Sequence, residues 1–312
     1  MPRAEQQQGF SRMPPSEPLL AETLPYAIVT GANQPSIGFQ AAQLLASPGH
    51  GGRHAVVLAC RDEAKGLAAK ALIEQRDPAA RCVYLHLDLA SLESIAAFVR
   101  SFTALDGGAP LRQGLSLLVN NAGVGFPTPH GLSADGYERV FATNHLGVMY
   151  LTCLLLPALK AAERARVVIV SSSLHDPASA GGQRGKRATL VHGGDRSEAF
   201  DLQLERQGAY DSALAYRCSK LMNVMFGYAL QRRLRADGCD TIAVNSMCPG
   251  FIPASGLVRN AGCFGICFLR YCLAGVCTCC CSVTRTLEDG ALCEVLCGVS
   301  DVAAGGKKPA PF

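Results

Sequence analysis

Tyr216 and Lys220 stand four residues apart in Ala215–Leu234, a stretch whose spacing predicts a long helix. Residues four apart share a helix face. A lysine ammonium close to a phenol favours the phenolate and lowers the tyrosine pKa, which makes a poor proton donor usable as an acid/base. On spacing alone the pair is common on helices and more often structural. Ser171, Ser172 and Ser173 end an apolar run, Arg166–Ser171, that reads as a strand. A hydroxyl there can polarise a carbonyl, although a lone serine at a strand end is more often structural. Asn144 lies inside a predicted helix, Asp135–Leu159, where asparagine is mildly unfavourable. A structural hydrogen-bonding role fits it as well as a chemical one.

The elements that must position these residues alternate along the chain. Strands are predicted at Tyr26–Thr30, Ala55–Ala59, Cys82–Leu87, Leu115–Asn120, Arg166–Ser171 and Thr241–Met247. Helices are predicted at Ile37–Ala46, Asp62–Gln75, Leu92–Phe102 with Ser91 as its cap, Asp135–Leu159 and Ala215–Leu234. The strand runs are continuously apolar, the pattern of strands buried on both faces. Strands separated by helices imply βαβ units. The fold class is therefore α/β, a doubly wound parallel sheet of the Rossmann type in a single domain. Ligands in such sheets sit at the carboxyl ends of the strands.

That placement gives the first turn its meaning. Thr30-Gly31-Ala32-Asn33-Gln34-Pro35-Ser36-Ile37-Gly38 follows the first strand and opens a helix. Glycines there let a phosphate approach free N–H groups at a helix N-terminus. Alone, the turn is a weak signal, and an ordinary βα loop would look similar. The second strand ends Ala59-Cys60-Arg61-Asp62. An acidic residue at such a strand end holds the NAD ribose, whereas an arginine accommodates a 2′-phosphate. Arg61 therefore favours NADPH, unless it is only a solvated loop arginine.

Composition narrows the classes. The 312 residues are 49% hydrophobic and 17% charged, too apolar for a disordered chain and enough for a sizeable core. A net charge of +4, no tryptophan and 6% aromatic residues argue against nucleic acid as a partner, which needs a clustered basic face and stacking platforms. Residues 1–24 are polar, with Pro and Gln and mixed charge, and lack the apolar run of a signal peptide. They read as a disordered lead-in, as do 303–312 at the other end, and the localisation expected is cytoplasmic.

Taken together these pieces resemble the short-chain dehydrogenase/reductase family over roughly residues 25–300. The matching motifs are the Gly turn at Thr30–Gly38, Asp88-Leu89 after the third strand, Asn120-Asn121-Ala122-Gly123 after the fourth, and Asn144. They continue with Ser172, Tyr216-x-x-x-Lys220 and Pro249-Gly250. The resemblance implies NADPH (NADP) as cofactor, with contacts from Gly31, Asn33, Ser36, Ile37, Gly38, Arg61, Asp88, Leu89, Asn121, Ala122, Gly123, Tyr216, Lys220, Pro249, Gly250 and Ile252. It implies Tyr216 as general acid and Lys220 as ribose ligand and tuner of Tyr216. Ser172 would hold the substrate carbonyl and Asn144 would support a relay water. Asp88 would contact adenine and Ile252 would face the nicotinamide.

Within the family the sequence is most similar to light-dependent protochlorophyllide reductases and then to retinol dehydrogenase-like enzymes. The shared stretches are Ala59–Asp62, His86–Leu92, Thr143–Gly147, Ala215–Lys220 and Pro249–Leu257. The Gly turn is one residue longer than the family's, with Ser36 where its middle glycine stands. Phe251 and Met222 replace cysteines of the protochlorophyllide enzymes. A plastid remains compatible with the resemblance. So is a homo-oligomer, with no interface legible in the sequence.

Two inserts complete the reading. Residues 174–212 are rich in Gly and mixed charge, and 253–288 are apolar; nine cysteines crowd into 263–297, across and just beyond the second insert. Within the second insert, 261–281 carries a single charge, Arg270, over about the length that spans a bilayer. Three roles are open to it: a substrate lid or core piece, a peripheral membrane contact, or a span. The cysteines read as small apolar filler, as S-acylation sites, or as zinc ligands. A lid of this kind suits a small apolar substrate of retinoid, steroid or tetrapyrrole type. The expected function is NADPH-dependent hydride transfer to a bulky apolar carbonyl or conjugated double bond. The alternative is a non-catalytic NADPH-binding or scaffold protein on the same fold.

Overall fold

The computed structural model describes residues 24–49, 53–126, 130–179, 181–183, 186–188, 210–258 and 284–300. Most of both inserts, including 261–281 and the cysteines from Cys263 to Cys281, lies outside the described residues, as do 1–23 and 301–312.

Six parallel strands form one sheet in the order β3-β2-β1-β4-β5-β6. They are β1 (Tyr26–Thr30), β2 (Ala55–Cys60), β3 (Arg81–His86), β4 (Leu115–Asn120), β5 (Ala165–Val170) and β6 (Ile242–Met247). The helices are α1 (Ile37–Ala46), α2 (Glu63–Arg76), α3 (Leu92–Thr103), α4 (Ala109–Arg112), α5 (Arg139–Phe141), α6 (Gly147–Ala161), α7 (Ser212–Ala236) and α8 (Leu287–Val299). The doubly wound parallel sheet expected from the sequence is present. Its strand order reverses direction between β1 and β4, which opens a crevice at the carboxyl ends of the strands.

The period-2 geometry of strands divides the core into two layers. Tyr26 and Ile28 of β1 pack with Ile95, Phe98 and Phe102 of α3 and with Leu151 and Leu155 of α6. Ala27 and Val29 face the other way, onto Phe39 and Leu45 of α1, Ile73 of α2 and Val295 of α8. All five residues of β1 are buried, which is why its sequence shows no polar alternation.

Side chains close the helix starts. Ser36, Asp62, Ser91 and Asp211 each accept a backbone N–H at the first turn of α1, α2, α3 and α7, satisfying donors that have no partner inside the helix. Thr286 and Asp289 form a reciprocal capping box on α8.

Three expectations are corrected. The helix expected over Asp135–Leu159 begins only at Arg139, because Gly136 adopts a left-handed φ of +80° and Glu138 accepts from the N–H groups of Val140 and Phe141. Within it, Ala142–Leu146 is a π-helical turn. The second insert was expected to run to residue 288, but α8 starts at Leu287 behind its cap. The long helix carrying Tyr216 starts three residues early, at Ser212, since Asp211 caps it.

Candidate active site

The glycine turn is stitched to the end of β4. Asn121 Nδ2 donates to the Thr30 carbonyl at 2.7 Å and the Ala122 N–H donates to Thr30 Oγ1 at 2.9 Å. Gly31 has φ +71°, and a Cβ on it would sit 3.1 Å from Ala122. A Cβ on Gly38 would run into the Asn121 amide and lie 2.9 Å from the Gly31 carbonyl. These two positions need glycine, because the turn packs directly against Asn121 and Ala122. Ser36 has a definite place here. Its hydroxyl donates to the Gly31 carbonyl at 3.0 Å and accepts from the Phe39 N–H at 3.0 Å. The serine in the glycine's place therefore closes the turn and caps the helix. Asn33 is half-buried in the same turn.

Beside this cradle, the exposed Arg61 after β2 and the half-buried Asp88 after β3 form an ion pair, Nη1 to Oδ2 3.9 Å. Asp88 also accepts from the Ala90 N–H at 2.9 Å. Leu89 is buried in the core layer with Ile95 and Val148. Across the crevice, Ile37, Pro249 and Ile252 meet around Gly290 of α8, where a Cβ would lie 3.4 Å from Ile37 and from Pro249. Gly250, with φ +87°, stands over the Arg285 side chain. Nothing in the sequence reading had singled out Gly290; the signal was the Thr-x-x-Asp box placed directly before it.

The four residues expected to do chemistry converge at the carboxyl end of β5. Lys220 Nζ donates to the Val170 carbonyl at 2.9 Å and stands 5.6 Å from the centre of the Tyr216 ring. Ser172, just after β5, accepts from the Leu174 N–H with its hydroxyl at 3.3 Å. Ser171 Oγ donates to the Lys220 carbonyl at 2.8 Å, fixing α7 to the strand. Asn144 is fully buried in the π turn. Its Oδ1 accepts from the Val124 N–H at 2.8 Å, and its Nδ2 donates to the Val124 carbonyl at 3.0 Å and to Ser219 Oγ at 3.1 Å. Ser219 in turn donates to the Tyr216 carbonyl at 2.7 Å. Gly123 joins the two halves, for a Cβ on it would lie 3.2 Å from Asn144 Oδ1 and 3.6 Å from Lys220 Nζ. A π turn widens the backbone spiral and recurs at functional sites; here it turns an asparagine into the core.

Electrostatics correct one expectation. Burial pushes the Tyr216 phenol above its ordinary value, partly offset by the Ser172 hydroxyl. Lys220 sits over the ring and is bonded to Val170, so burial outweighs the lowering expected from the four-residue spacing. Burial also drives Lys220 down to about 8, opposed by the nearby Cys248 and Glu294. Apolar side chains cover the phenol: Phe126 lies 5.1 Å from it, centre to centre, and Val124, Leu174 and Leu257 join the same cluster.

The chain matches a family model described as short chain dehydrogenase over residues 25–182. It belongs to the short-chain dehydrogenase family. Among its relatives, the short-chain dehydrogenase TIC 32 B, chloroplastic, of Brassica napus is 37% identical over 241 residues, covering 76% of this chain and 66% of that protein. Human retinol dehydrogenase 12 is 38% identical over 234 residues, 75% of this chain and 63% of that protein. The chain thus spans just under two thirds of the length of these relatives. Two solved structures share the fold. A metagenomic short-chain oxidoreductase in complex with NADP superposes with a TM-score of 0.56 at 20% identity, covering 88% of this chain and 90% of that one. An NADPH-bound carbonyl reductase from chicken fatty liver does so with 0.55 at 22%, covering 86% and 88%.

Proposed function

We propose that this short-chain dehydrogenase is an NADPH-dependent oxidoreductase that reduces a bulky apolar carbonyl or conjugated double bond. The observation that carries the reading is the convergence of Asn144, Ser172, Tyr216 and Lys220 at one strand end beside a glycine cradle whose Cβ positions are closed. The cradle suits a dinucleotide: the turn from Gly31 to Gly38 leads into the N-terminus of α1, and Arg61 supplies an exposed cation for a 2′-phosphate. Asp88, Asn121 and Ala122 would line the adenosine half, and Gly123, Lys220, Pro249, Gly250 and Ile252 the nicotinamide half. NADPH, when bound, supplies the hydride.

The chain's own residues do the rest. Ser172 orients the phenol and the acceptor oxygen. Tyr216 gives its proton to that oxygen as it becomes an alkoxide, a step a positioned acid accelerates by roughly 10²–10⁴-fold. Lys220, held by the Val170 carbonyl, keeps positive charge near the resulting phenolate. Asn144 holds Val124 and, through Ser219, the backbone of Tyr216. The apolar cover of Val124, Phe126, Leu174 and Leu257 excludes water and supports an apolar substrate, and the apolar composition of 261–281 in the sequence supports such a substrate too.

The reading is tested by titrating the protein with NADPH and NADH, followed by cofactor fluorescence. NADPH oxidation is then assayed with retinaldehyde, steroid ketones and protochlorophyllide. Binding of NADPH in preference to NADH, with turnover of one such substrate, is expected. Absence of binding by either cofactor would overturn it in favour of a scaffold role.

A further inference from the structure

Arg217 follows Tyr216 on α7 and plays no part in the assignments above. It is buried, 8% exposed, and a buried guanidinium is costly unless its donors are satisfied. Its fork reaches the segment that follows β5. Nη1 donates to the Leu174 carbonyl at 3.3 Å and to the Gly182 carbonyl at 3.2 Å, and Nη2 donates to the Gly181 carbonyl at 3.4 Å. One side chain thus draws both ends of the 174–182 stretch onto α7. Three carbonyls suit a planar fork of donors, whereas a lysine ammonium is a compact charge without that geometry.

The stretch it holds is closed on itself. Ser179 Oγ donates to the Ser173 carbonyl at 2.5 Å, with the Asp176 carbonyl 2.9 Å away, and accepts from the Gly182 N–H at 2.9 Å. A Cβ on Gly182 would run into the Asp176 carbonyl. The Ser173 N–H donates to Sγ of Cys248, the residue after β6, at 3.2 Å. Leu174 is where this turn meets the candidate active site. Its carbonyl takes the guanidinium, its N–H donates to Ser172 Oγ at 3.3 Å, and its side chain packs with Tyr216, Val124 and Phe126. A serine hydroxyl has one proton and two lone pairs. The Leu174 N–H occupies a lone pair, which leaves the Ser172 proton to point elsewhere.

We propose that Arg217 is a positioning residue for the reduction: by holding the Leu174 carbonyl it sets the direction of the Ser172 hydroxyl and the apolar wall over the Tyr216 phenol. It thereby governs how the acceptor oxygen is seated, not how the cofactor is bound. The three carbonyls it holds lie in the 174–182 stretch, none in the Gly31–Gly38 turn. This deepens the reductase reading and rests on it for the effect on turnover, but not for the hold on the turn.

The hold is tested without turnover, by amide hydrogen exchange of the peptide spanning 172–183 in wild type, Arg217→Gln and Arg217→Lys. Both variants are expected to exchange this peptide about 10–100-fold faster, the value of a hydrogen bond to a charged group, with β1 and α1 unchanged. Unaltered exchange in both variants overturns the proposal. Arg217→Lys keeps the buried charge, so it reads the loss of the fork even where Arg217→Gln fails to fold. The effect on the reaction is read as turnover against cofactor affinity. With an accepted apolar carbonyl substrate, kcat/KM is expected to fall about 10–100-fold in both variants, while the NADPH dissociation constant stays at the wild-type value. Millimolar methylguanidinium is expected to restore part of the turnover lost in Arg217→Ala. Faster exchange with unchanged kcat/KM would mean a residue that only packs the turn and would overturn the proposal, as would a parallel loss of NADPH affinity. A wild type that binds NADPH but reduces no carbonyl sinks the reductase reading, and the exchange result then still decides whether Arg217 holds the turn.

Discussion

The two ends of the crevice are built from different materials. At the β1–β3 side, backbone shape and exposed charge do the work: Gly31 and Gly38 pack where no side chain would fit, and Arg61 stands in solvent beside the half-buried Asp88. At the β5 side the working groups are buried, with Asn144 fully enclosed and Tyr216 and Lys220 each 3% exposed. The first end can recognise a charged, hydrated ligand. The second shifts its titrating groups through desolvation, which is what proton transfer requires. Recognition and chemistry are thereby separated along one sheet edge.

Substitutions can break each side independently. The largest effect is expected at the buried end, where Tyr216→Phe should lower NADPH-dependent turnover by roughly 10²–10⁴-fold, measured at saturating cofactor. Gly38→Ala should come next. Its new methyl meets the Asn121 amide and the Gly31 carbonyl, an overpacking that costs about 1–3 kcal/mol, visible as a lower urea midpoint together with weakened NADPH binding. Arg61→Ala should reduce the preference for NADPH over NADH by about 10–100-fold, the value of a hydrogen bond to a charged group, about 1.5–3 kcal/mol. Its effect on thermal stability should be negligible, because Arg61 is exposed in its pair with Asp88 and such pairs contribute about 0–1 kcal/mol. The smallest is Thr286→Ala, which removes the capping box of α8 for about 1 kcal/mol of stability.

The buried end also predicts a pH dependence of stability. Glu294 in the folded chain holds its proton up to about 8, against an ordinary 4.5. Native protein thus binds more protons than unfolded chain between those values, so stability falls as pH rises through the window. Thermal midpoints should decline from pH 5 to pH 8 in the wild type, and the decline should flatten in Glu294→Gln.

The same division explains what could be read from the sequence. The sheet was legible because parallel strands buried on both faces are continuously apolar, and the cradle because its glycine turn follows the first strand and opens a helix in line with the later motifs. Tyr216, Lys220, Ser172 and Asn144 were legible by order and position, and the structure brings them together. Their electrostatics were not, because a spacing of four cannot say whether an ammonium meets a phenol's oxygen or its ring, nor how much burial opposes it. The π turn at Asn144 was invisible because its residues keep a helical pattern. Gly290, Ser219 and Arg217 were missed because their roles depend on contacts with distant segments. The buried Glu294 carboxyl looks, in sequence, like any surface glutamate of an amphipathic helix.

The most direct test of the division is steady-state oxidation of NADPH and NADH by wild type, Arg61→Ala and Tyr216→Phe with one accepted substrate. The account predicts that Arg61→Ala loses discrimination between the cofactors, and that Tyr216→Phe loses turnover while still binding NADPH. Wild-type turnover by Tyr216→Phe would contradict it.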